Sequence, residues 1–338
     1  MADRLALPGF VNAHSHAFQR ALRGRTEGAD FWAWREAMLD MARALSLGHV
    51  RTSYAATYRE MRRAGYTAVG EFHYIGLEEA EAALDAAEEA GVVIVLLLAA
   101  YARGGLDRFR QDSVAAYLQQ VESLRARGDA KIGVAPHSVR ACPPDWLEEI
   151  ARYADGEQLV LHVHASEQPR EVDECLEEHG VRPIELLART GCLGPRTTIV
   201  HATHATEDEL DLVAQAGARI CICPTTEANL GDGFPPLEAM LARGIDLCIG
   251  SDSNVRIDPL EELRELEGIA RRQLLRRNVV APEGLLRIGA HNGAASLGIE
   301  GGPDIAVDLG HPSLEGVDSS GIETALIAGC AADVFTKS

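Results

Sequence analysis

Short apolar runs alternate with longer amphipathic stretches along most of the chain. Eight runs read as strands: 10–16, 67–72, 92–99, 131–136, 159–165, 198–202, 219–223 and 246–250. Most are unbroken rather than alternating, the pattern of strands covered on both faces. Between them, apolar residues recur at helical spacing over 49–64, 77–90, 111–127, 144–154, 183–190, 206–216 and 235–243. Gly65, Gly91, Gly217 and Gly244 stand just past four of these segments, where a chain leaving a helix favours a left-handed residue. The pattern stays helical from 259 to about 297, and the tail from Ile305 reads as a strand and loops. Eight strands alternating with helices predict an α/β fold, a (β/α)8 barrel over residues 8–297. No internal repeat, low-complexity run or interdomain linker interrupts it.

A barrel of this kind gathers its chemistry at the carboxyl ends of its strands. Polar residues fall there: His14 and His16 on the first strand, Glu71 to Tyr74 on the second, His137 and Arg140 after the fourth. His162, His164 and Glu167 follow at the fifth, His201 and His204 at the sixth, Thr225 to Glu227 at the seventh, and Ser251-Asp252-Ser253 at the eighth. His14 and His16 are two apart, so in a strand they point to one side. With Asp252 and one histidine of the fifth strand, His162 or His164, they offer the nitrogen and oxygen donors of a catalytic zinc site. Asp252 is read as a ligand, a proton acceptor for a bound water, or both. His201 is read as a further ligand or a base. Cys221-Ile222-Cys223 is read as core, because a free cysteine packs as a small hydrophobe. Trp32, Trp34 and Arg35 suggest a substrate wall, a lid over 24–36, or the start of a helix.

The net charge of −19 argues against nucleic acid or an anionic membrane as partner. Seven cysteines scattered through apolar runs, with no stretch of 18 apolar residues, suggest a reducing, cytoplasmic setting and no disulfide framework.

Together these phrases resemble the amidohydrolase superfamily of metal-dependent hydrolases, with Pro8-Gly9 and His14-x-His16 on the first strand, histidines on the fifth and sixth, and Ser251-Asp252 on the eighth. The longer phrases Ala17-Phe18-Gln19-Arg20, Phe31-Trp32-Ala33-Trp34-Arg35-Glu36, Gly70-Glu71-Phe72-His73-Tyr74 and Thr226-Glu227-Ala228-Asn229-Leu230-Gly231-Asp232 narrow the resemblance to the formimidoylglutamate deiminase family. The resemblance implies one divalent metal ion, zinc first among candidates, on His14, His16, His164 and Asp252, with His162 as a neighbour. It implies that His201 activates water or shuttles its protons, and that Glu167 protonates the imino nitrogen and the departing ammonia. Gln19 would contact the formimino group, while Arg35, Tyr74, His137 and Arg140 hold the two carboxylates of a small anionic substrate. The reaction implied is attack of metal-activated hydroxide on the formimino carbon of N-formimino-L-glutamate, releasing ammonia, as in histidine degradation. A homodimer is what the family suggests.

Two departures stand out. The resemblance implies a β-sandwich built from both termini, yet only seven residues precede Pro8 and the tail is short. A reduced or missing accessory β domain, left as remnants 1–7 and 298–338, is therefore expected. Asn254 also stands where the family often has histidine. The competing readings are a deaminase of a purine, guanidino or cyclic-amide substrate, and an inactive relative that keeps the barrel.

Overall fold

The structure, a computed structural model, describes residues 4–28 and 30–336. Residues 1–3 of the 1–7 segment, residue 29 of the 24–36 loop, and residues 337–338 lie outside it. The strands are β1 (Arg4–Leu7), β2 (Phe10–Ser15), β3 (Tyr66–His73), β4 (Val93–Ala100), β5 (Lys131–Pro136), β6 (Leu161–Ala165), β7 (Thr197–His201), β8 (Arg219–Ile222), β9 (Leu247–Ile249) and β10 (Ile305–Asp308). Strands β2 to β9 pair in chain order, all parallel. The cylinder closes just beyond β9. The Asp252 N–H donates to the His14 carbonyl at 3.0 Å, and the His16 N–H donates to the Asp252 carbonyl at 2.8 Å. The predicted (β/α)8 barrel is present, and three of the predicted metal-site residues sit on its closing seam.

The outer helices are α1 (Phe31–Ala44), α2 (Leu47–Ala64), α3 (Leu77–Ala90), α4 (Val114–Arg125), α5 (Pro144–Gly156), α6 (Pro169–His179), α7 (Pro183–Arg189), α8 (Glu207–Ala216), α9 (Pro224–Leu230), α10 (Leu237–Ala242) and α11 (Pro259–Leu274). Gly65, Gly91, Gly217 and Gly244 all have positive φ, as the end signals predict. Two differences from the sequence reading have physical causes. The stretch after residue 30 is a helix of fourteen residues, started by Asp30, whose side chain accepts the Ala33 N–H. Helix α6 escaped the periodicity because only Glu171, Val172 and Cys175 of its eleven residues are buried.

Close approach of backbones tightens the seam. A β-carbon on Gly250 would lie 2.8 Å from both the Cβ and the carbonyl oxygen of His14. One on Gly70 would lie 2.6 Å from the Ala13 carbonyl oxygen. Glycine on either side thus lets β2 sit close between its neighbours. Beneath the mouth, Ala13, Val200, Cys221, Cys223 and Cys248 form a small apolar cluster, in keeping with cysteines as core. All seven cysteines are buried and unpaired. Outside the barrel, β1 and β10 pair antiparallel and tie residues 4–7 to 305–308; Phe335 packs edge-on against Phe10 at the foot of β2. Among the described residues no helix is long and apolar enough to cross a membrane.

Candidate active site

Four side chains converge at the seam. The Nε2 atoms of His14 and His16 are 3.2 Å apart, and those of His14 and His164 are 3.0 Å apart. Asp252 Oδ1 lies 3.4 Å from His14 Nε2 and 3.3 Å from His16 Nε2. The other ring nitrogens explain the orientation. His16 Nδ1 donates to the Phe72 carbonyl at 2.8 Å and His164 Nδ1 donates to the His137 carbonyl at 3.0 Å. A carbonyl can only accept, so each Nδ1 carries the proton and each Nε2 presents a lone pair.

Lone pairs this close repel unless a cation lies between them. Burial first of all keeps these rings neutral: it lowers the pKa of His14 to about 3, lowers that of His16, and holds that of His164 well below 6.5. Burial opposes a charge on Asp252, yet His14, His16 and His201 around it hold its pKa well below the usual carboxylate range, so it stays ionised. Four donors at 2.0–2.2 Å from one ion in a tetrahedron would be roughly 3.3–3.6 Å apart. The observed spacings of 3.0–3.4 Å and the bare Nε2 atoms of His16 and His164 suit a divalent ion.

The open alternative on β6 resolves in favour of His164. His162 Nε2 instead donates to the Ser296 carbonyl at 3.0 Å. Asn254 occupies the seam: its amide donates to Ser15 Oγ and the Asp252 carbonyl, and its side-chain oxygen accepts from Ser251. It thus supports the turn that carries Asp252.

Above the cluster opens a cavity of about 280 Å³. His16, His164, His201, Glu167 and Asp252 line its floor, and Gln19, Arg35, Tyr74, His137 and Arg140 line its walls. The structure therefore brings every sequence-predicted site residue to one place, with His14 just beneath. Gln19 donates its amide to Tyr74 Oη at 2.8 Å, and its Oε1 is buried without a partner. Arg140 Nη2 is 3.8 Å from Glu167 Oε2, whereas Arg35, on α1, touches Glu36 at 3.2 Å. Burial, then Arg140, pushes the pKa of His137 well below 6.5, so this wall residue is neutral.

The proton-handling groups are adjacent. His201 Nε2 is 3.7 Å from Glu167 Oε1. Burial pushes the pKa of Glu167 up to about 7, against the pull of His201 and Arg140. Burial works against a charged His201, but Glu167, Glu227 and Asp252 overcome it and raise its pKa to about 10. Glu171 accepts the backbone N–H groups of Ser166 and Glu167 and so fixes the loop beneath the Glu167 carboxyl. Ser166, His201 and Asp252 all have φ between +40° and +76°. Such backbone persists only where surrounding bonds over-determine it, and it gathers at working sites.

Several neighbours went unseen in the sequence. Tyr101, Arg103 and Arg170 also line the cavity, the last with its guanidinium 4.3 Å from the Trp32 ring centre. Arg103 donates to the Arg140 carbonyl at 3.0 Å and grips Glu178, steadying the Arg140 loop. Asp232 Oδ1 accepts from Gln168, and its Oδ2 is buried without a partner. Only the phrase around Asp232 carried any signal in the sequence.

Known proteins resemble this chain. The formimidoylglutamate deiminase of Pseudomonas aeruginosa is 40% identical over 297 residues, which cover 79% of this chain and 65% of that protein. The chain thus spans just under two thirds of that relative. The 5-methylthioadenosine/S-adenosylhomocysteine deaminase of Halobacterium salinarum is 31% identical over 313 residues, 89% of this chain and 70% of that protein. An adenosine deaminase from Xanthomonas campestris, solved with bound zinc, superposes with a TM-score of 0.88 at 24% identity, over 99% of this chain and 78% of that one; this likeness speaks to the fold. The sequence profile described as the Amidohydrolase family matches residues 5–302. That match runs from β1 past the last helix of the barrel, and the chain belongs to the amidohydrolase family.

Proposed function

We propose that the chain hydrolyses N-formimino-L-glutamate to N-formyl-L-glutamate and ammonia. The observation that carries this reading is the wall of the cavity, where Arg35 and Arg140 both stand over a floor of converged imidazoles and acids. A substrate with two carboxylates needs two such cations, and a guanidinium offers each a planar fork. The P. aeruginosa deiminase, by its name, acts on a substrate of this kind.

His14, His16, His164 and Asp252 are the residues to hold a single divalent ion, with zinc the first candidate. When bound, the ion supplies a Lewis acid that lowers the pKa of a water to roughly 7. Arg140 and Arg35 bind the carboxylates, with Tyr74 and His137 beside them. The free Gln19 Oε1 accepts an N–H of the formimino group and orients it. Water adds its oxygen to the formimino carbon, and the bond from that carbon to the terminal nitrogen breaks. Asp252 takes a proton from the water, while the charged His201 donates from Nε2 to the water's oxygen and orients it. Glu167, protonated near neutrality, gives a proton to the imino nitrogen and regains one from Asp252; the hydroxyl proton of the adduct follows by the same route, and the nitrogen leaves as ammonia as the C–O bond becomes the formyl carbonyl.

A second reading, an adenosine-type deaminase, draws on the aromatic walls Trp32, Trp34, Tyr74 and Tyr101, which could stack a base. A neutral base has no need of both arginines. Ammonia release separates the two. The metal-loaded protein should turn over N-formimino-L-glutamate and leave adenosine and 5-methylthioadenosine untouched. Arg140→Ala should lose about 2–5 kcal/mol in kcat/KM, mainly through KM. Turnover of the nucleosides alone would reverse the assignment.

A further inference from the structure

The far nitrogen of His201 faces a carboxylate that the reaction above does not use. Glu227 lies in the first turn of α9 and is 1% exposed. Its Oε1 accepts from His201 Nδ1 at 3.2 Å and from the Cys223 backbone N–H at 2.9 Å, while its Oε2 has no partner. His201 is its ion-pair partner. The opposite nitrogen, Nε2, is the one turned to Glu167 and the cavity. His201 also has a left-handed backbone, φ +76°, at the end of β7. Its side chain therefore leaves the strand in a direction that regular pairing does not set, and something else must hold the ring.

We propose that Glu227 is the positioning residue for His201: its carboxylate keeps a proton on Nδ1 and turns Nε2 toward the substrate. A carboxylate behind an imidazole holds a proton on the nitrogen that faces it, fixes the ring's orientation and steadies its positive charge. The kinetic part of this proposal rests on the deaminase reading; the location of the ring proton does not.

A competing role is visible in the same contacts. The bond to the Cys223 N–H ties β8 to α9, and an uncharged amide oxygen would serve as well. Glu227→Gln keeps an acceptor oxygen for both Cys223 and the ring but removes the charge. We expect this variant to fold with wild-type Tm and metal content, and to lose about 10- to 100-fold in kcat with KM little changed. Wild-type kcat in Glu227→Gln would leave Glu227 as a helix tie and overturn the proposal. A second measurement needs no substrate. In metal-loaded protein, the imidazole 15N resonances of His201, identified by their loss in His201→Gln, should report a protonated Nδ1. In Glu227→Leu, with no acceptor behind the ring, the hydrogen-bonded shift of that nitrogen should be lost. An unprotonated Nδ1 in the wild type, or a signature unchanged in Glu227→Leu, would overturn the proposal whatever the substrate. The expected ring signature in a protein that releases no ammonia from N-formimino-L-glutamate would sink the substrate assignment and uphold Glu227.

Discussion

Strands β2 and β6 carry the same motif, a histidine on either side of one residue, and use it differently. On β2 both His14 and His16 join the cluster. On β6 only His164 does, while His162 binds the Ser296 carbonyl. A regular strand advances about 3.3 Å per residue, so two histidines of one motif start from Cα atoms roughly 7 Å apart and share one small ion only where their rings lean together. Strand β6 is regular, with Leu161 to Ala165 in unbroken register against β7. In β2 the register against β3 shifts between Asn12 and Ser15. There the His14 and His16 rings meet at 4.7 Å, edge to face. Local irregularities of this kind re-aim side chains next to active sites. The motif supplies the ligands, and the partner that each ring finds decides how many reach.

Substitutions can break this comparison. The largest effect is expected from His164→Ala, which should abolish metal binding and ammonia release together, as metal analysis beside the assay would report. Retained metal would mean that the β6 histidine is not a ligand. Next comes Gly250→Ala, whose new β-carbon would press on His14. Overpacking of this kind costs about 1–3 kcal/mol, and a lower Tm should come with weaker metal binding; a drop in Tm alone would separate the seam from the cluster. His162→Ala should keep its metal and lose about 1–2 kcal/mol of stability, from the Ser296 carbonyl left without its donor. Denaturant unfolding measures that cost, and loss of metal here would erase the contrast between the strands.

A further test lies in the pH dependence of stability. Glu71, at the end of β3, accepts the Ala17 N–H just beyond His16, and burial raises its pKa from 4.5 to about 8. Between those values the folded chain keeps a proton that the unfolded chain has released. Stability should therefore fall as pH rises through this window, by at most about 1.4 kcal/mol per pH unit, and level off above it. Glu71→Gln should flatten the slope, and an unchanged slope would acquit Glu71.

Much of this was legible in the residues. Unbroken apolar runs marked the eight strands, because a parallel strand covered on both faces must be apolar along its length. Glycines past the helix ends marked their limits, because few other residues accept the left-handed turn there. The clustered polar residues followed from the barrel, since strand ends share one mouth. Helix α6 was hidden because its polar face dominates. Arg103 and Arg170 were hidden because they reach the cavity from loops and helices with no motif around them. The 24–36 stretch allowed a lid or a helix, and packing of Phe31, Trp34 and Met38 against the core made most of it helix α1.

By itself the sequence determined the type and order of the elements, the donor residues, and a strand-end position for nearly every group in the site. Those properties depend on periodicity, residue chemistry and neighbours a few positions away. Only the tertiary structure decided that His164 rather than His162 joins the cluster, that Glu227 stands behind His201, and that Arg35 and Arg140 face one cavity. Such choices turn on register, closure of the barrel and shifts of a few ångströms between residues far apart in the chain, and no local pattern encodes a distance across a cylinder.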